Sequence, residues 1–238
     1  MMADFTIEEI NRYSRQLMLE EIGIEGQQKI KQAKVLVIGA GGLGCPVLQY
    51  LGAAGVGTIG IIDFDRIEIH NLHRQILFTA DDIGKRKAPT AAQKINESNP
   101  NVSCIVFNEL LQESNAANII SQFDIVIDGS DNFLTRYLVN DVCVLLNKPL
   151  VYGSILKFEG QLAVFNYKGS KNLRDIYPEP PNPEDVPNCS EIGVMGFVPG
   201  IIGVYMAGAT IQIIVGRYNN DSLLLFNFKE FSILKLKI

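Results

Sequence analysis

The stretch KVLVIGAGGLGCPVLQYLGAAGVGTIGIIDFDRIE, from Lys34 to Glu68, limits the possible folds more than any other part of the chain. KVLVIGA is a continuous apolar, β-branched run, the composition of a strand covered on both faces. Three glycines, Gly39, Gly41 and Gly44, follow it and open a helix that runs to about Tyr50. GTIGIIDFD then reads as a second buried strand. A strand that enters a helix through this glycine spacing is the start of a nucleotide-binding crossover. Gly39 permits the tight turn, Gly41 lets the backbone approach a phosphate, and Gly44 lets the helix pack closely on the strand. The amides at the helix N-terminus present positive partial charge to an anion. Asp63, 24 residues after Gly39, ends the second strand, where a carboxylate accepts hydrogen bonds from ribose hydroxyls.

The pattern continues along the chain. A helix is expected near Ala88–Ser98, a third strand in VSCIVFNEL, a fourth in FDIVIDGSD, and another in KPLVYGSIL. Strands alternating with helices imply right-handed crossovers and a parallel sheet. After Gly153 the character changes. LKFEGQLAVFNY reads as an antiparallel meander, and SLLLFNFKEFSILKLKI as two strands of a hairpin. Residues 168–190 are polar and irregular, with five of the ten prolines between Pro178 and Pro187. Proline at that density forbids regular structure and marks a surface loop. The expected fold is α/β: a Rossmann-like, mostly parallel sheet with helices on both faces, extended by antiparallel strands in the C-terminal half. We divide the single domain, 1–238, into an N-terminal helical arm (1–30), a nucleotide-binding half (31–153) and a second half (154–238) containing the crossover loop 168–190. The arm is amphipathic from Ile7 to about Ile30, with interruptions near Gly23 and Gly26.

Bulk properties narrow the function classes. A chain of 238 residues, 47% apolar and 20% charged, can bury a full core. A net charge of −5 supplies no basic footprint, so nucleic acid is not an expected partner. The N-terminus lacks the basic and apolar regions of a secretory signal. The apolar stretch Phe197–Val215 is broken by Pro199 and three glycines and reads as a buried helix rather than a membrane span. Cys45, Cys104, Cys143 and Cys189 are scattered, with no CxxC pair, which gives no disulfide framework and no four-cysteine zinc site. A reduced, cytoplasmic protein is the expectation.

The glycine fingerprint alone leaves the nucleotide open. An NAD-dependent oxidoreductase needs a catalytic dyad, yet the only histidines, His70 and His73, share one short segment. Behind Asp63, the sequence DRIEIHNLHRQ supplies Asn71, Arg74 and Gln75, and GKRKA supplies Lys85, Arg86 and Lys87 at a helix start. Fixed cations in this number suit a more highly charged phosphate tail than a dinucleotide's. Lys85 and Arg86 are equally compatible with solvated surface charge. Asp131 and Asn132 follow the fourth strand, at the sheet edge where α/β proteins place ligands. A carboxylate beside a polyphosphate is a natural Mg²⁺ ligand. Asp131 could alternatively cap the helix NFLTRYLVNDV.

Taken in order, RYSRQ, GAGGLG, DFD, NLHRQ, GKRKA, DGSDN, GQLAVF and NCSEIGVMGFVPGIIG resemble the HesA/MoeB/ThiF adenylyltransferases, relatives of the ubiquitin-activating enzymes. The resemblance spans Arg12 to Lys237. It implies ATP-dependent adenylation of the C-terminal glycine carboxylate of a ubiquitin-like sulfur carrier ending in Gly-Gly, of ThiS-like or MoaD-like type, in thiamine or molybdenum-cofactor synthesis. It further implies that Gly42 and the loop amides contact ATP, and that Asp63 holds the ribose. Asn71 and Arg74 would approach the phosphates, Lys87 would stabilise charge during transfer, and Asp131 would position Mg²⁺. Arg15 would reach the γ-phosphate of the neighbouring subunit, making a homodimer part of the site. Residues 154–238 would bind the carrier, and Cys189 occupies a position where some members use a thiol toward the carrier or sulfur donor. Many members hold zinc through two CxxC pairs. Here the first pair's positions read Asn172 and Asp175, and no second pair follows, so no zinc is expected. The form RDIYPEPP resembles a zinc-free branch that often carries a rhodanese domain, absent here, which calls for a separate sulfur-donor protein. Without activity, the same chain would be a carrier-binding scaffold.

Overall fold

Successive residues of the first strand enter opposite apolar layers: Val35 and Val37 lie in one, Leu36 and Ile38 in the other. That two-sided burial is why KVLVI contains no polar alternation. In a computed structural model of the chain, residues 5–181, 193–219 and 221–238 are described. β1 (Lys34–Ile38) pairs in parallel with β2 (Thr58–Ile62) on one side and β4 (Ile125–Asp128) on the other. β3 (Ser103–Phe107) joins β2, and β5 (Leu150–Leu156) joins β4, both in parallel. β6 (Glu159–Phe165), β7 (Ser222–Asn227) and β8 (Ser232–Lys237) then extend the sheet antiparallel, giving the order β3-β2-β1-β4-β5-β6-β7-β8.

Helices cover both faces. α3 (Gly23–Gln32), α4 (Gly44–Ala54), α5 (Lys87–Ser98) and α9 (Phe197–Ile214) contribute to one apolar cluster; α6 (Glu113–Ser121), α7 (Phe133–Leu145) and the short α8 (Leu173–Ile176) contribute to the other. α9 is apolar all round because one side packs on α4 so tightly that a Cβ on Gly203 would overlap Pro46. Its other side leaves Ile201, Val204 and Tyr205 exposed.

Several local expectations shift. The N-terminal arm is α1 (Ile7–Arg12), α2 (Ser14–Leu17) and α3, with breaks at Tyr13 and at 18–22; the second ends beside Gly23, as expected, whereas Gly26 interrupts nothing. Gly23, at φ +52°, opens α3, and Gly26 lies inside it, where a Cβ would sit 3.5 Å from Val215. α6 was not anticipated, although Ala116, Ile119 and Ile120 carry helical spacing and are its buried face. The polar segment after 168 holds α8, where Asn172 and Asp175 form a capping box: Asp175 Oδ2 accepts from the backbone N–H and the side-chain amide of Asn172, both at 2.8 Å.

Lys85 and Arg86 act on the fold. The buried Asp82 accepts from Lys85 Nζ at 2.9 Å and Lys94 Nζ at 3.1 Å, and from Thr79, tying the 79–85 loop to α5. Arg86 donates to the Phe64 carbonyl. Burial by itself would raise the Asp82 carboxyl, but the Lys85, Thr79 and Lys94 bonds outweigh it and hold it well below the carboxylate range. A depressed carboxyl stabilises the fold above its unfolded value, about pH 4, and loses that contribution as pH falls further. Asp82→Asn should therefore lower the urea midpoint at pH 7, with the difference from the wild-type protein shrinking between about pH 4 and 2. A constant difference across that window would exclude the ionised carboxylate as its source.

Candidate functional site

In the strand order 3-2-1-4-5, the order of the strands reverses between the parallel neighbours β1 and β4, and the crevice beyond their carboxyl ends is where open α/β sheets bind ligands. A cavity of about 690 Å³ opens there, lined by Gly39, Gly41 and Gly42 and by loops following β2, β4 and β5.

The glycine loop forms as its spacing requires. Gly39 adopts φ +86°, and a Cβ on Gly44 would overlap the Gly39 carbonyl oxygen. At Gly41 a Cβ would meet only Gln75 Nε2, at 3.9 Å, so the cavity side is open. Gly42 sits under Pro199 of α9, 3.2 Å from where its Cβ would be. Asp63 fastens this loop: its Oδ2 accepts the Ala40 N–H and its Oδ1 the Asp65 N–H, each at 2.8 Å. Burial raises the Asp63 carboxyl, with Lys87 opposing.

Asn71, Arg74, Gln75 and Lys87 all line the cavity. A 3₁₀ turn, Ile69–Asn71, places the first, whose buried Oδ1 accepts the Glu68 N–H at 3.1 Å. Arg74 Nη1 donates to the His70 carbonyl at 2.9 Å and lies 2.8 Å from His73 Nε2, an acceptor because guanidinium only donates. Lys87 is buried, with Nζ 2.8 Å from Asp65 Oδ2. Lys85 and Arg86 are not cavity residues.

On the facing wall, Asp131 and Asn132 are exposed and line the cavity. Asn132, not Asp131, caps α7, its Oδ1 accepting the Thr135 N–H at 2.9 Å, so the Asp131 carboxylate is not spent on the helix. Beneath them runs a polar network that the sequence reading passed over. Asp128 is fully buried at the end of β4, with Oδ1 accepting from Ser130 N–H and Oγ–H at 2.9 and 2.6 Å. Burial pushes its carboxyl up, opposed by Arg136. Arg136 donates to Tyr152 Oη at 3.1 Å and to the Ser130 carbonyl at 2.9 Å. A carboxylate closing the parallel strand IVID was the signal for Asp128; Arg136, one turn into an amphipathic helix, had none.

Two further expectations lie elsewhere. Arg15, on α2, is exposed, reaches only Met18 Sδ, at 3.9 Å, among the described residues, and does not line this cavity. Cys189 falls outside the described residues. Cys45 and Cys143 are buried, which pushes both thiols up to about 12, and burial raises Cys104 to about 11. Among the described residues, no three His, Cys, Asp or Glu side chains group closely enough to hold a metal unaided. A single carboxylate completed by phosphate oxygens is nevertheless the donor set Mg²⁺ uses, and Asp131 fits it. The buried Gln75 Oε1, which has no hydrogen-bond partner among the described residues, likewise fits a wall completed by a polar ligand.

Fold and cavity together define a nucleotide-binding α/β domain. The ThiF family profile matches residues 13–238, and the chain belongs to that family. It is 45% identical over 241 residues to the sulfur carrier protein adenylyltransferase of Thermus thermophilus, covering 98% of this chain and 89% of that protein. It is 48% identical to the probable molybdopterin-synthase adenylyltransferase of Porphyra purpurea, covering 98% and 62%. It is 49% identical to the adenylyltransferase and sulfurtransferase MOCS3 of Culex quinquefasciatus, covering 97% and 53%. The chain thus spans about half the length of the curated MOCS3 relatives it matches. Among solved structures, E. coli MccB with ATP superposes with a TM-score of 0.84 at 23% identity, covering 95% of this chain and 71% of that one. PaaA superposes at 0.85 and 20% identity, covering 99% and 75%. These two likenesses concern the fold.

Gly44→Ala should cost about 1–3 kcal/mol by overpacking, since its methyl meets backbone, and should remove nucleotide binding measured by titration with an ATP analogue. Wild-type affinity would show that the loop can open without harm.

Proposed function

We propose that the chain transfers AMP from ATP to the C-terminal glycine carboxylate of a ubiquitin-like sulfur carrier ending in Gly-Gly. One observation carries this reading: a single cavity collects the glycine loop, two cations (Arg74 and Lys87) and an uncommitted carboxylate (Asp131), in a chain about half identical to named adenylyltransferases. Those relatives' names include both sulfur carrier and molybdopterin-synthase adenylyltransferases, and the carrier would be ThiS-like or MoaD-like, serving thiamine or molybdenum-cofactor synthesis.

The chemistry asks little of a base. A C-terminal carboxylate is ionised near neutral pH, so its oxygen attacks the α-phosphorus directly. The bond from the α-phosphorus to the bridging oxygen breaks, and pyrophosphate departs with the electron pair. What the site must supply is positioning and charge neutralisation. The loop amides at Gly41 and Gly42 cradle the phosphates, and Asp63 receives the ribose with the lone pairs left after its two backbone bonds. Asn71, Gln75 and Asn132 orient the nucleotide, and Arg74 and Lys87 meet the growing negative charge. Lys87 now leans on Asp65, so a phosphate would share or take that ammonium. Mg²⁺ at Asp131, when bound, would neutralise phosphate oxygens. Zinc has no part in this reading.

Arg15, which does not line its own cavity, serves the neighbouring subunit's ATP in a homodimer. Cys189 supplies a thiol toward the carrier or a separate sulfur-donor protein, in the cytoplasm. The competing reading, an NAD-dependent oxidoreductase, requires NAD binding without Mg²⁺ and indifference to Arg15.

The test is ATP–pyrophosphate exchange stimulated by a small carrier ending in Gly-Gly. Lys87→Ala should lower it about 10²–10³-fold, the range for losing one preorganised charge-stabilising group. Arg15→Ala should abolish exchange while leaving dimerisation and ATP binding intact. Exchange that no such carrier stimulates would end the sulfur-carrier assignment.

A further inference from the structure

Adenylation brings two anions into one cavity, the triphosphate and the incoming carboxylate. The cations around the glycine loop are already engaged: Lys87 with Asp65, Arg74 with His70 and His73, and Arg136 with Tyr152 and Ser130. Lys157 differs. It lines the same cavity from the β5–β6 hairpin, is exposed, and makes no hydrogen bond or ion pair among the described residues.

Its backbone is unusual. Leu156 pairs with Glu159, so Lys157 and Phe158 form a two-residue loop, with Lys157 at φ +53°. Glycine and asparagine are the ordinary occupants of that left-handed region. Neighbours hold the loop in place. The Phe158 carbonyl accepts the Phe228 N–H at 2.8 Å, and its ring lies 6.4 Å from that of Phe197, the first residue of α9. The strand behind it is pressed against α9 at Gly160, where a Cβ would come within 2.5 Å of Ile202. The lysine therefore stands on a fixed support. Its chain neighbours Ile155 and Leu156 line the cavity with it, and the same cavity is also lined by Gly193 and Val194.

We propose that Lys157 anchors the carboxylate-bearing tail of the acyl substrate, separately from the ATP phosphates. The apolar and small residues lining the same cavity suit an extended tail whose last residues are glycines, and an ammonium unpaired among the described residues suits its terminal charge. This inference rests on the adenylation reading. Lys157 fixes where the carboxylate waits; Arg74 and Lys87 act on the phosphates.

Lys157→Asn removes the charge and keeps a residue that tolerates left-handed backbone. With a ubiquitin-like carrier ending in Gly-Gly, the variant should raise the KM for carrier about tenfold, as for a lost hydrogen bond to a charged group. The Kd of a non-hydrolysable ATP analogue should stay within about twofold, and Lys157→Arg should restore most carrier affinity. An unchanged carrier KM, or an ATP Kd weakened in the same proportion, overturns the proposal. If the wild-type protein shows no carrier-dependent exchange, the adenylation reading fails first, and this assignment falls with it.

Discussion

Both oxygens of Asp63 are used by the chain itself, one on the Ala40 N–H and one on the Asp65 N–H. From this carboxylate the geometry of the cavity spreads in two directions. Toward β1 it holds the glycine loop against the sheet, where Gly44 rests on the Gly39 carbonyl. Toward β2 it fixes Asp65, whose carbonyl accepts the Lys87 N–H at 3.0 Å and whose carboxylate holds the Lys87 ammonium at 2.8 Å. A carboxylate has about four lone-pair sites, so two backbone bonds leave it able to receive a ribose. They also mean that removing it would loosen the loop and displace a cation more than 20 residues away, effects that a ribose contact alone would not predict.

The opposite wall has its own support. Asp128, Ser130, Arg136 and Tyr152 form a buried polar network under the loop that bears Asp131. Buried charge is tolerated only when its partners are in place, and a network that depends on several partners at once resists small displacements. Among the described residues Asp128 Oδ2 has no hydrogen-bond partner, yet Arg136 opposes the upward push of burial on its carboxyl. The cavity is thus bounded on two sides by polar groups tied to strand ends rather than by free surface side chains.

Much of this was legible in the residues because the governing constraints are local. A two-sided buried strand has to be continuously apolar, and a loop that turns tightly beneath a helix has to place glycine where a Cβ would strike backbone. KVLVI and Gly39, Gly41 and Gly44 follow from those rules; Asn71, Arg74 and Lys87, marked by their residue types behind Asp63, line the same cavity. What escaped was set by which partner, near or far in sequence, claims each side chain. Lys85 and Arg86 have the composition of phosphate ligands, but Asp82 and the Phe64 carbonyl claim them. Asp131 and Asn132 both suit a helix cap, and only the backbone path decides for Asn132. Gly26 looks like an interruption until Val215, nearly 190 positions away, is seen beside it. Periodicity reports which face is buried, not which partner buries it.

The two halves meet at α9. A Cβ on Gly196 would overlap the His73 carbonyl, next to Arg74, and Pro199 packs on Gly42. One helix start therefore presses on the turn that carries Arg74 and on the glycine loop. The same start also holds, through Phe197, the ring of Phe158 beside Lys157. An apolar helix with no charged residue becomes the part that registers one wall of the cavity against the other. Any displacement of its first turn would alter the spacing between Arg74 and Lys157 without touching either. For a reaction in which an oxygen must meet a phosphorus in line, that spacing matters as much as the charges themselves.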